Sequence, residues 1–199
     1  MLYLASASPR RRDLLKLAGF RFTVEPAEID EVISQDDPAC LVQNLALKKA
    51  RAVAKLPPDD VVLAADTVVA LDNHILGKPQ DEEQAQKMLR MLSNRVHQVY
   101  TGYCILKQSR CEIGVSCTSV EFYPLSDEDI ESYIATGEPF DKAGGYGIQS
   151  LGALLVRKID GDFYNVVGLP IAEISRLLRT FGSSKTAAES NHEKESPTL

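Results

Sequence analysis

Residues Val61 to Leu71 read Val-Val-Leu-Ala-Ala-Asp-Thr-Val-Val-Ala-Leu, an apolar run interrupted only by Asp66 and Thr67. A run of this kind marks a strand covered on both faces, so the chain must build a sheet with helices on either side. A carboxylate inside such a strand is costly unless it is paired or bound to a metal. Asp66 could still sit at a strand end or turn and cap the backbone. Polar groups set among apolar strand residues cluster at functional sites, and that reading is preferred here.

The flanking sequence supplies the helices. Ser8 is a plausible N-cap with Pro9 at the first helical position, and Gly19 ends that helix. Further helices are predicted from Asp37-Pro38 to about Lys55, from Asp81 with Gln84 three residues on, from Ser126 to Gly137, and after Pro170. Strands are predicted at Leu2 to Ala5, His74 to Leu76, Val96 to Lys107, Val115 to Tyr123, Ala153 to Ile159 and Phe163 to Val167. Asp72-Asn73 and Asp160-Gly161 read as hairpin turns. The expected class is therefore α/β, a mixed β-sheet flanked by helices. One domain spans residues 1–182, and the polar stretch 183–199 reads as a disordered tail.

Charge narrows the function. The chain carries 22 Lys plus Arg against 28 Asp plus Glu, a formal net charge of −6, which disfavours a non-specific nucleic-acid binder. No apolar run approaches the roughly 18 residues of a membrane span, and no signal peptide is visible. The four cysteines form no C-x-x-C pair, so a structural zinc site is not expected and a reducing cytoplasm fits. Yet Arg10, Arg11, Arg12, Lys16 and Arg21 face only Asp13 and Glu25 within the first 25 residues. An acidic chain thus has one cationic corner, suited to a small polyanion rather than a polymer.

That corner holds Ser6-Ala7-Ser8-Pro9-Arg10-Arg11-Arg12 at the start of a helix, where free N–H groups and the dipole favour an anion. Most arginine runs are solvated patches, and at most two of these three can face one ligand, because neighbours diverge by about 100°. Lys49 borders an apolar stripe and could merely snorkel; Lys78, in Gly77-Lys78-Pro79, could be a solvated loop charge. The glycines of Asp141-Lys142-Ala143-Gly144-Gly145-Tyr146-Gly147-Ile148-Gln149 mean either close approach to a ligand or a tight turn. Gln149 could read a base edge. Glu28, Asp30 and Glu31 form an acidic cluster that could be solvated or could help hold a hard cation.

Taken together, Leu4-Ala5-Ser6-x-Ser8-Pro9-Arg10-Arg11, Ala65-Asp66-Thr67, Gly77-Lys78-Pro79, the Asp141 to Gln149 segment and Gly168-Leu169-Pro170 resemble, in order, the motifs of the Maf family. The resemblance covers residues 1 to about 182. It implies an elongated mixed sheet with two lobes around a central cleft, similar to inosine triphosphate pyrophosphatases. It implies nucleoside triphosphate pyrophosphatase activity with a divalent cation, Mg²⁺ or Mn²⁺. Asp66 then matches the proton acceptor, and Arg10, Thr67 and Gln149 match positions tied to substrate choice. Ser8, Arg11, Lys49 and Lys78 match polar positions around the phosphates, and Glu31 matches an acidic position that would join Asp66 at the metal. The Tyr-Gly-Ile-Gln form resembles the subgroup acting on dTTP and UTP rather than the one preferring 7-methyl-GTP. Gly145 and Ser150 depart from the residues many members carry, Ala and Gly. A homodimer is common in the family.

The expected reaction is NTP plus water to NMP plus pyrophosphate, in a cytoplasmic enzyme with a nucleoside triphosphate as its partner, and with neither nucleic acid polymer nor membrane. The alternative is a nucleotide-sensing regulator of septum formation acting through a protein. Asp66 favours catalysis, since a pure triphosphate binder gains nothing from an added negative charge near phosphates.

Overall fold

A computed structural model describes residues 1–29, 37–53, 57, 59–72 and 74–183. The elements in chain order are β1 (Leu2–Leu4), α1 (Pro9–Leu17), β2 (Thr23–Val24), α2 (Pro38–Val53), β3 (Val61–Leu71), β4 (His74–Leu76), α3 (Glu82–Leu92), β5 (Val96–Lys107), β6 (Arg110–Phe122), α4 (Asp127–Ile134), β7 (Val156–Asp160), α5 (Phe163–Val167) and α6 (Ile171–Thr180). Seven strands form one mixed sheet in the order β2-β1-β3-β5-β6-β7, with β4 also paired to β3. The α/β class and the helix-flanked mixed sheet expected from the sequence are what the chain forms.

The central strand organises everything else. Its odd residues Val61, Leu63 and Ala65 enter a core with Leu14 and Leu15 of α1 and Ile174 and Leu178 of α6. Val69 and Leu71, on the same face, enter a second core with Leu89 and Leu92 of α3 and Ile130 and Tyr133 of α4. On the other face Val62 and Ala64 pack against Ala46, Ala50 and Val53 of α2, and Val68 packs against Leu41, Val42 and Leu45 of the same helix. This alternation follows from the period-2 geometry of a strand. Residues 66 and 67 fall at the seam between cores on both faces.

The sheet is also interrupted at that seam. One edge of β3 pairs with β5 along residues 62–70. The other edge is shared: β1 takes Val61 to Leu63 and β4 takes Val69 to Leu71. Among the described residues no strand covers positions 64–68 on that edge. The backbone N–H of Ala5 donates to the carbonyl of Leu63, and that of Val61 donates to Met1, so odd residues turn their peptide groups toward this edge. By the same parity Ala65 and Thr67 direct theirs into the gap.

Local chemistry sets the helix starts. Ser8 caps α1, Asp81 caps α3 through the Gln84 N–H at 2.8 Å, and Ser126 with Asp129 forms a reciprocal capping box on α4. Helix α2 lies close to the sheet because β5 carries Gly102, where a Cβ would stand 2.4 Å from the Val42 carbonyl carbon. Leu17, the last residue of α1, points away from these cores and is 69% exposed.

Three strand assignments need correction. Phe163–Val167 is a short helix, not the second strand of a hairpin. Asp162 caps it by accepting the Tyr164 N–H at 2.8 Å, and the buried Asn165 side chain donates to the Val99 carbonyl at 2.9 Å and to Thr118 Oγ1 at 3.0 Å. That tertiary anchor overrides the β-rich composition. Ala153 belongs to a 3₁₀ segment, Ser150–Leu155, and the strand starts at Val156. Strand β6 begins at Arg110, five residues before the expected Val115. It is drawn into a tight hairpin in which Lys107 pairs with Arg110 and Gln108 takes φ 52°, a turn with no glycine to announce it. The predicted tail from residue 184 onward and Asn73 of the expected turn lie outside the described residues.

Candidate active site

A cleft of about 750 Å³ opens where no described strand pairs with the edge of β3. Its wall draws on both cores, with Ile148 and Val167 from one and Val69, Val99 and Tyr146 from the other. Ser8, Arg10, Arg11, Lys49, Asp66, Thr67, Lys78 and Gln149 all line it. Chain segments more than a hundred residues apart therefore meet at one place. Glu31 lies outside the described residues, and Glu28 is exposed away from the lining.

Asp66 is 8% exposed and faces α2, where Lys49 Nζ donates to its Oδ1 at 2.5 Å. The carboxylate is thus paired, as burial demands. Gly102 stands opposite Asp66 in the β3–β5 register. The close approach of α2 at Gly102 places Lys49, two helical turns beyond Val42, over the acid. Lys49 is therefore tied first to Asp66, a partner that phosphate-binding expectations did not include.

Thr67 faces the opposite way, into a closed network. Arg11 is 8% exposed, and its guanidinium donates to the Gly168 carbonyl at 2.8 Å, Ser6 Oγ at 3.1 Å and Thr67 Oγ1 at 2.9 Å. Thr67 Oγ1 lies 2.9 Å from Thr101 Oγ1, whose hydroxyl donates to the Asn165 carbonyl at 3.0 Å. With the Thr101 proton so used, the Thr67 hydroxyl must be the donor between the two threonines. Toward a ligand it can then only accept.

The N-terminus of α1 forms one rim. Ser8 Oγ accepts the Arg11 N–H at 3.5 Å and keeps its own proton for donation. Arg12 is exposed and outside the lining, which agrees with the angular limit on the arginine run. Arg10 reaches across the cleft to Asp141 Oδ2 at 2.8 Å, and Lys142 donates to Asp141 Oδ1 at 2.6 Å. Burial pushes the Asp141 carboxyl up, but hydrogen bonds from Lys142 and Arg10 and their charges outweigh it and hold it below the usual carboxylate range. Sequence spacing assigns Asp141 no role, because its pairing with Arg10 spans 131 residues and exists only in the fold.

Within the glycine segment Gly144 serves tight packing, whereas Gly147 lines the cleft. Gly144 has φ 71°, its N–H donates to the Gly77 carbonyl at 2.9 Å, and a Cβ there would sit 2.9 Å from Val69 Cγ2. The fold thus anchors the segment before it delivers Gln149, exposed, to the cleft. Lys78 is exposed on the same lining.

For a metal, the described residues contain no group of three His, Cys, Asp or Glu suited to hold one. Asp66 still fits a hard cation of the kind bound by one or two carboxylates plus substrate phosphate oxygens, because Lys49 occupies Oδ1 and leaves Oδ2.

Residues 1–181 match the model of the family described as Maf-like protein. Proteins named dTTP/UTP pyrophosphatase are similar over nearly their whole length. The one from Bacillus pumilus is 50% identical over 91% of this chain and 96% of its own. That from Carboxydothermus hydrogenoformans is 51% identical over 91% and 98%, and that from Moorella thermoacetica 51% over 91% and 95%. Motifs dispersed through the chain converge on one cleft, and the match runs from end to end of that fold: the chain belongs to the Maf family.

Proposed function

We propose that the chain hydrolyses dTTP and UTP to the monophosphate and pyrophosphate. The observation that carries the reading is Asp66, an acid held by Lys49 at the base of a cleft whose rim carries Arg10 and Lys78. The names of the relatives support the substrates.

In this reading a water oxygen attacks the α-phosphorus, and the bond from that phosphorus to the α–β bridging oxygen breaks. Asp66 takes the water proton, while Lys49 fixes the carboxylate through Oδ1. Lys78 and Arg10 neutralise the triphosphate and the departing pyrophosphate, and Arg10 exchanges Asp141 for phosphate oxygens as it does so. Ser8 donates its hydroxyl proton beside the α1 N-terminus. Asp66, joined by Glu31, would hold a Mg²⁺ or Mn²⁺ ion, which supplies charge neutralisation and polarisation at the α-phosphorus. Gln149 pairs its amide with the carbonyl and N3–H edge shared by uracil and thymine. Among the described residues no helix is long and apolar enough to cross a membrane, and the reading places the enzyme in the cytoplasm with its nucleotide pool.

The test is hydrolysis of dTTP in ¹⁸O-labelled water with Mg²⁺, Mn²⁺ or chelator. Label in dTMP and none in pyrophosphate is expected, with loss of turnover in chelator. Label in pyrophosphate, or release of single phosphates, contradicts the mechanism.

A further inference from the structure

Tyr146 lines the cleft three residues before Gln149, and its ring is buried. Its hydroxyl lies 2.7 Å from Nε2 of His97, a β5 residue with no exposed surface. His97, Phe122 and Tyr146 meet edge to face, with ring centroids 4.7 to 5.3 Å apart. Among the described residues His97 Nδ1 has no hydrogen-bond partner, and the imidazole makes its one polar link to Tyr146. Two phenyl rings would fill this apolar cluster without burying any polar atom. A buried polar pair that packing does not require is best explained by the position it enforces.

The position enforced is that of the segment leading to Gln149. Tyr146 belongs to the core beside α3 and α4, whereas Ile148 belongs to the core beside α1 and α6. The chain crosses from one core to the other within two residues, and Gln149 follows at once. The Gly147 N–H donates to the Tyr133 hydroxyl at 3.1 Å, a second anchor on the same crossing. His97 itself is not part of the cleft lining, so any effect on substrate passes through Tyr146.

We infer that His97 is a positioning residue for pyrimidine selection: its bond to Tyr146 sets where the segment presents Gln149 to the base. This rests on the pyrimidine nucleotide reading of the cleft. A displacement of about 1 Å is enough to spoil such pairing.

The experiment measures pyrophosphate release from dTTP and dCTP by the full chain, with melting followed in parallel. Cytosine carries an amino group and an N3 acceptor where thymine carries a carbonyl and N3–H, so the ratio reports base reading. His97→Phe should raise KM for dTTP and cut the dTTP-over-dCTP preference about tenfold, with kcat within about twofold. Tyr146→Phe, which removes one oxygen, should cut the preference equally and serves if His97→Phe fails to fold. His97→Gln, which can still reach the tyrosine hydroxyl, should keep most of the preference. In a Gln149→Ala background, His97→Phe should change the ratio by less than about twofold, because the route to the base is already lost. An unchanged ratio in folded His97→Phe or Tyr146→Phe overturns the inference, as does a tenfold change that persists without Gln149. A wild-type chain that releases no pyrophosphate from either nucleotide overturns instead the function on which it rests.

Discussion

Asp66 and Thr67 are consecutive on β3 and look out on opposite faces of the sheet. On the α2 face Asp66 has, among the described residues, one ionic partner, Lys49 Nζ, which takes Oδ1 and leaves Oδ2 for the proposed chemistry. On the other face Thr67 joins Arg11, Ser6, Gly168, Thr101 and Asn165 in a network where the threonine protons are all committed. One residue is held by a single ion pair among the described residues; its neighbour is locked. Both conditions arise from one seam, where four apolar clusters end and the sheet edge is unpaired. The lesson is that the site needs a rigid half as much as a reactive one: the network fixes α1, β3 and the Gly168 turn relative to each other, and the cationic rim inherits that geometry.

The contrast can be broken from either side. Lys49→Met leaves Asp66 buried without its cation, which should cost on the order of 3 kcal/mol in urea unfolding and cut kcat about a hundredfold. An unaltered melting curve would show that the pair is not what holds the acid. Acid should act on the locked face next. Burial lowers the His97 pKa from 6.5 to about 4, so the folded state prefers the neutral ring. The unfolded chain binds the proton first, so this contribution is complete above pH 6.5 and is lost as pH falls through about 4. Its full size is about 3 kcal/mol. Unfolding free energies from pH 7 to 4 should show that loss for wild type and a shallower slope for His97→Phe. An identical slope in both would remove His97 from the account.

Smaller effects should follow within the network. Arg11→Leu loses three donors and should destabilise by about 2 kcal/mol, with a smaller rise in KM for dTTP than Arg10→Ala produces. If Arg10→Ala instead leaves KM untouched, the assignment of clamp and rim is reversed. Thr101→Val keeps the shape and removes one hydroxyl, so chemical denaturation should report a loss of about 1 kcal/mol with kcat unchanged.

How much of this could be read from the chain alone depends on whether the determinant is local. Asp66 stood out because an acid amid valines, leucines and alanines violates a rule that any nearby window reveals. The α1 start was legible for the same reason, since Ser8 and Pro9 carry their own cap chemistry. Helix α5 was not, because its sequence is strand-like and its anchor, Asn165 on Val99 and Thr118, is supplied by β5 and β6. The early start of β6 hid behind a turn with Gln108 and no glycine. The bonds from Arg11 to residues 6, 67 and 168 were not legible, because no spacing connects those acceptors. The gap at residues 64–68 belongs to this class too: it exists only once β1 and β4 share one edge of β3.

The central claim is that Asp66 is a base held ready rather than a structural ion-pair partner. Single-turnover release of pyrophosphate from saturating dTTP by Asp66→Asn tests it, with nucleotide affinity and melting measured on the same sample. The amide keeps the size of the carboxylate and loses its proton affinity. The expected result is a rate lower by about 10² to 10⁴, with the chain folded and dTTP still bound. A folded variant that releases pyrophosphate at the wild-type rate would contradict it.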